Sequence, residues 1–283
     1  MARFTNQAQL RYGNSVANSN IAVGEILEVL SATKTAVGDS YKQDDSVTYV
    51  VSIVNSGTTP ITGLTLTDNL GEYEFGTTTL LPLTYIEGTI VYYVNGVLQA
   101  APTVTPGTPL TVTGISVPAG GNATIVYETR ANAFAPLTPG SEITNTATIS
   151  GVGLTSIAVQ ETITVESEPL LTITKSVSPV PVTENGTLTY TFLIQNNGSA
   201  EADADTGIVI TDTFNPILKN LTVSYNGTTL TEGTDYTYDE TTGEFATVVG
   251  KITVPAGTFT QDTTSGTWNV NPGTGTLVVT GTI

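Results

Sequence analysis

The sequence predicts an all-β protein: two tandem immunoglobulin-like β-sandwich domains preceded by a segment of strands with no domain of its own. Three observations carry this reading. No window sustains a helical period, and the 283 residues are rich in Thr, Val, Ile, Gly and Asn, a composition of short strands and turns. Long stretches repeat within the chain, in the same order, at two places. The length suits two domains large enough to bury a core each.

Residues 46–57 repeat as 187–198, 63–68 as 207–212, 115–120 as 252–257, and 124–127 resemble 276–279. Two copies of one sandwich follow, at 31–168 and 169–283, each of about seven or more short alternating strands with Gly, Pro and Asn turns. The repeat is permuted at its ends. After residues 124–131 the first copy continues with 143–149 and 157–161, which read as its closing strands. No counterpart follows the second copy. Matching segments stand at the front instead: residues 4–10 resemble 143–149, and 21–25 resemble 157–161.

Residues 1–30 therefore read as closing strands without a preceding domain, and 169–283 as a domain without closing strands. An unclosed sandwich exposes apolar core and unpaired strand edges. The expectation is donor-strand complementation: residues 1–30 close the second domain of a neighbouring identical subunit, head to tail. Self-closure is the plainer alternative, but two domains in line hold those ends far apart.

Strand alternation decides which side chains share a face. Lys34 is in phase with Leu30, Ala32 and Ala36, as Lys175 is with Leu171, Ile173 and Val177. Asp68 follows Leu64 and Leu66, as Asp212 follows Ile208 and Ile210. Asn145 is in phase with Ile143 and Ala147, as Asn6 is with Phe4 and Ala8. One Lys, one Asp and one Asn thus fall on apolar faces in each unit, and a buried charge must pair or react. A desolvated lysine becomes a neutral nucleophile, and a protonated carboxyl can polarise an amide. Attack of Lys on Asn would release ammonia and leave an isopeptide bond, with Asp as general acid and base. The expected assignment is Lys34, Asp68 and Asn145 within domain 1, and Lys175, Asp212 and a neighbour's Asn6 between subunits. A noncovalent buried cluster, or exposed edge residues, would give the same pattern.

Charge and missing residue types exclude other classes. Eight Lys and Arg against 25 Asp and Glu give a net charge of −17, which repels nucleic acid and anionic membranes. Without Cys or His there is no disulfide, no Cys/His zinc site and no Ser-His-Asp triad. No cofactor is expected, and no enzyme acting on an external substrate. No apolar run approaches a membrane span, and the first residues carry no apolar signal core. Either the sequence stands without its signal, or the protein leaves the cell by another route, such as lysis of a mother cell, which the Met at position 1 slightly favours. The loop 201–207 holds Glu201, Asp203 and Asp205 without the spacing of an EF-hand, so a solvated acidic loop is the simpler reading and no metal is expected. Trp268 stands alone, with no cleft to be built around it.

The ordered motifs Lys34-Thr35 and Lys175-Ser176, Tyr49 to Gly57 and Tyr190 to Gly198, Asp68 and Asp212, and Asn145 and Asn6 resemble the bacterial surface repeat known as domain of unknown function eleven. That resemblance implies an extracellular β-sandwich with a structural or adhesive role. Two-repeat members resemble the clostridial-type subunits of spore appendages, which would place the chain on a spore surface. The leading position of the Asn-x-Ala strand departs from the family's order. The expected function is a filament subunit at an extracellular or spore surface; the alternative is an adhesive or ligand-binding module on a stalk.

Overall fold

The computed structural model describes residues 2–26 and 28–283. Among them are strands, turns and a single 3-10 turn, Ala204–Thr206, with no α-helix. The buried residues gather into two separate cores, one drawn from residues 41–165 and the other from 188–279.

In the first sandwich, one sheet orders Val97–Leu98, Val91–Val94, Asn122–Ala131, Ser46–Asn55 and Leu30–Val37. The facing sheet orders Thr103–Thr105, Leu110–Val117, Ile61–Asp68, Glu142–Ser150, Ile157–Val165 and Ser40–Tyr41. Alternation makes the core. In Ser46–Asn55 the side chains of Val47, Tyr49, Val51 and Ile53 point inward and are buried, while their neighbours are not. Asn122–Ala131 has the same burial pattern and pairs with it, Tyr127 opposite Tyr49. Each fully buried aliphatic or aromatic side chain contributes about 1.5–3 kcal/mol.

The second sandwich repeats the first sheet as Leu171–Ser178, Thr187–Asn196, Gly273–Thr282, Lys219–Tyr225 and Thr228–Thr229. Its other sheet is smaller: Thr211–Thr213, Glu244–Thr247 and Tyr236–Tyr238.

The repeated Asn-x-Gly motif has a structural job in both copies. Asn55 and Asn196 are fully buried. Asn55 Nδ2 donates to the carbonyls of Thr59 (2.8 Å) and Pro118 (3.0 Å), and its Oδ1 accepts from Gly57 N (2.9 Å). Asn196 makes the same set with Ala200 (2.8 Å), Pro255 (3.1 Å) and Gly198 N (2.9 Å). The glycine is required by close approach: a Cβ on Gly198 would lie 2.1 Å from the Glu168 carbonyl oxygen of the interdomain connection.

The two sandwiches touch through a hairpin that only the second carries. Residues 121–123 suffice to join the Gly120 and Thr124 motifs in the first copy. Residues 258–275 fill the equivalent gap in the second, and Thr258–Gln261 there pairs with Trp268–Asn271. Phe259, Trp268 and Val270 pack against the first core. Trp268 N donates to Ala133 O (2.8 Å), and Gln261 Nε2 donates to Tyr73 Oη (3.0 Å). Trp268, isolated in sequence, is thus part of the interdomain seam.

The leading residues form a long hairpin. Ala2–Asn6 pairs with Ala22–Ile26, and Gln9–Tyr12 with Ser15–Asn18. None of these four strands pairs with a strand of either sandwich. Phe4, Leu10, Tyr12, Val16, Ile21 and Val23 are all more than half exposed on it.

Candidate functional site

Three strands position the first cluster. Leu30–Val37, the lysine strand, lies at the edge of its sheet with Lys34 opposite Val51. Ile61–Asp68, the aspartate strand, ends on Asp68, opposite Ala147 of the asparagine strand Glu142–Ser150. Asn145 is two residues along the asparagine strand from Ala147, hence on the same inward face. The closing strand Ile157–Val165 sets Glu161 opposite Asn145 and packs beside the lysine strand.

Lys34 and Asp68 are paired at 2.6 Å with both side chains fully shielded from solvent. Lys34 Nζ also sits 4.6 Å from the centre of the Tyr49 ring. Asp68 Oδ2 accepts a second, short hydrogen bond from the Tyr127 hydroxyl, and Oδ1 accepts from Leu70 N at 2.9 Å. Asn145 is fully buried, yet neither its Oδ1 nor its Nδ2 has a hydrogen-bond partner; the Tyr49 hydroxyl is likewise buried without one. Each such orphaned group costs about 1–3 kcal/mol. Both tyrosine hydroxyls lie near the Asn145 carboxamide, which offsets part of the upward push that burial gives their pKa values.

Burial is also the largest influence on Lys34. It lowers the ammonium pKa from 10.5 to about 8, although Asp68 and the charge of Glu161 pull the other way. Desolvation therefore outweighs a close ion pair. The amine reaches its neutral, nucleophilic form far more readily than an ordinary lysine.

The second cluster is built from the same pieces but left open. Lys175 on Leu171–Ser178 bonds Asp212 on Thr211–Thr213, and its Nζ lies 4.6 Å from the Tyr190 ring centre. Here the lysine side chain is 41% exposed and the aspartate 17%. Thr211–Thr213 pairs with Glu244–Thr247 on one edge, and its other edge has no strand partner among the described residues. That vacant edge corresponds to the one where Glu142–Ser150 sits in the first sandwich. Asn6 does not approach Lys175 within the chain; it is exposed on the leading hairpin, opposite Ala22.

Residues that sequence reasoning passed over are Tyr127, Tyr49 and Glu161. Tyr127 was legible as an inward position, in phase with Ile125 and Thr129, but nothing in the sequence aims its hydroxyl at Asp68. In the acidic loop, Asp203 accepts from the amides of Asp205 and Thr206.

The second sandwich is similar to a known domain. Residues 166–276 match the model of the Sgo0707 N2 domain. The N-terminal domain of the Streptococcus gordonii adhesin Sgo0707 is 15% identical over 54% of this chain, with a TM-score of 0.35. The chain spans 36% of that structure's length. BcpA, the major pilin subunit of Bacillus cereus, is 12% identical over 96% of this chain and 73% of its own, at a TM-score of 0.36. The pilus backbone RrgB of Streptococcus pneumoniae is 13% identical over 86% of this chain and 55% of its own, at 0.32. No curated protein sequence matches the chain.

Proposed function

We propose that the chain is a structural subunit of a surface filament, built head to tail, in which residues 1–30 of one copy close the second sandwich of the next. One observation carries this reading. The edge of the aspartate strand filled by Glu142–Ser150 in the first sandwich is vacant beside Asp212 in the second. The leading hairpin supplies what that edge lacks: two paired strands, six exposed apolar side chains, and an asparagine in the phase of Asn145. Similarity of the second sandwich to a domain of an adhesin supports an extracellular setting, and the resemblance to spore-appendage subunits points to a spore surface.

Isopeptide bonds reinforce the assembly in this proposal. Neutral Lys34 Nζ attacks Asn145 Cγ; the new Cγ–Nζ bond forms as the Cγ–Nδ2 bond breaks. One Nζ proton reaches Nδ2 through Asp68, and ammonia leaves. Lys175, Asp212 and a neighbour's Asn6 repeat the step between subunits. The orphaned carboxamide of Asn145 beside a partly deprotonated lysine supports the first bond. No external substrate is involved.

Electron microscopy of the purified chain tests the assembly: filaments are expected, and compact monomers under every condition overturn it. Intact mass tests the chemistry, since each bond removes about 17 Da. Detergent-resistant ladders are expected where Lys175 has reacted, and full mass with complete dissociation overturns the bonds. The similarity to an adhesin's domain favours one rival, an adhesive module. That reading requires the chain to bind a defined partner without polymerising.

A further inference from the structure

We infer that Tyr127 is a positioning residue for the Lys34–Asn145 exchange, and that its absence from the second sandwich sets the two crosslinks to different rates; this rests on the isopeptide reading above. The observations are geometric. Asp68 Oδ2 is shared by Lys34 Nζ and the Tyr127 hydroxyl, while Leu70 N holds Oδ1. The carboxyl is therefore fixed by three donors in a site closed to water. The Tyr127 ring packs on Tyr49 with centroids 5.8 Å apart, which fixes the phenol in turn.

Position 127 is where the two copies differ. Tyr127 faces Tyr49 across its ladder, and Val279 faces Tyr190 across the equivalent one. Val279 has no polar atom to offer Asp212. Phe214 packs on Tyr190 instead, with ring centroids 4.9 Å apart, at the position where the first sandwich has the smaller Leu70. Asp212 keeps Lys175 and Thr213 N but no phenol.

The reaction needs such a partner for a definite reason. As the neutral Lys34 amine attacks, one of its Nζ protons must move to Asp68 Oδ2, turning the carboxylate into an acid. Oδ2 then becomes a donor. A hydroxyl, unlike an amide N–H, can turn from donor to acceptor and receive it. Tyr127 can then aim its own proton at the unpartnered Asn145 oxygen beside it. No atom of Tyr127 is consumed, and the same proton returns through Asp68 to the leaving Nδ2.

The test follows the loss of 17 Da by time-resolved intact mass after cell-free synthesis of the full chain, across pH 6–10. Tyr127→Phe keeps the ring and removes the hydroxyl. It is expected to slow the Lys34 bond about 10- to 100-fold, the usual penalty for a misplaced catalytic group. Its pH midpoint should move up, because a carboxylate stripped of one donor holds the lysine proton more tightly. A variant with wild-type rate and midpoint overturns the inference while leaving the crosslink itself standing. A wild-type chain that keeps its full mass removes the crosslink and this inference together. Should Tyr127→Phe fail to fold, the exchange of aromatics decides. Val279→Tyr with Phe214→Leu rebuilds the first site in the second sandwich and should speed the intersubunit ladder about tenfold. Ladders forming at the wild-type rate overturn the inference.

Discussion

The two sandwiches hold the same lysine–aspartate pair in opposite surroundings. In the first, both side chains are fully buried; in the second, the lysine is 41% exposed and the aspartate 17%. The lysine strands match, the aspartates sit on equivalent strands, and a tyrosine ring lies 4.6 Å from each Nζ. What differs is the neighbour. In the first sandwich the eight-residue strand Ile61–Asp68 is flanked on both edges, and Ile157–Val165 covers the lysine strand. In the second, the equivalent strand shrinks to Thr211–Thr213, and Ile173 and Val177 stand exposed. Burial of the pair is therefore a property of the closing strands and not of the pair. On the proposed function the second site would stay dormant until closing strands arrive, tying reaction to assembly.

The most direct way to break this comparison is to remove the donor. A chain lacking residues 1–26 should give no filaments by negative-stain microscopy. Adding a peptide of residues 1–26 in trans should raise the unfolding temperature of the second sandwich and bury Lys175, read as lost labelling by an amine reagent. Unchanged labelling would mean that the vacant edge does not take this segment.

A smaller effect is expected from blocking the first bond. Asn145→Ala should keep the full mass and lower the stability of the first sandwich by about 4–5 kcal/mol. That is the chain-entropy value for a link closing a loop of roughly a hundred residues. Denaturant unfolding of the variant beside the wild-type chain reads it. The offset from removing an unpaired buried carboxamide works in the other direction, so an equal or higher stability would argue that the bond never formed.

Asn145→Ala also exposes the titration of unreacted Lys34. Its pKa in the folded chain is lowered to about 8 by burial, against 10.5 for the free group. Between those values the unfolded chain binds more protons than the folded one, so stability must rise with pH across that window. Below pH 8 the full penalty of a buried ammonium is present; above 10.5 it is gone. The span is about 3 kcal/mol. Lys34→Met in the same background should flatten the profile. In the wild-type chain the same titration should make the bond-forming rate climb with pH, reach half its maximum near pH 8 and level off above it.

These outcomes bear on how much of the molecule its sequence discloses. Period-two alternation was enough to turn Lys34, Asp68 and Asn145 toward one apolar interior, because long ladders such as Ser46–Asn55 hold their phase over ten residues. The same rule turned Lys175 and Asp212 inward, but alternation names a face and does not say whether anything covers it. Tyr127 was hidden for another reason. A tyrosine in phase with Ile125 reads as packing, and only the three-dimensional meeting of two sheets shows its hydroxyl on Asp68. Asn55 and Asn196 stood out as repeated letters, yet their role depends on carbonyls sixty residues away. Trp268 was the least legible, since its partner Ala133 lies in the other sandwich.

That seam gives the mildest test. The hairpin around Trp268 is the part of the second sandwich with no equivalent in the first, and it ties the two domains of one subunit together. At a junction between subunits the corresponding turn, residues 121–123, is too short to reach across. A filament built as proposed would then alternate clamped and unclamped joints. Trp268→Ala should remove apolar contact against the edge of the first core worth about 1–3 kcal/mol, since the indole is only partly buried. Thermal unfolding should separate into two transitions, and small-angle scattering of monomers lacking residues 1–26 should show a wider spread of interdomain angles. Identical scattering before and after the substitution would mean that the linker at 166–170 holds the domains by itself. The stiffness of the two joints would then be set by the same short connection.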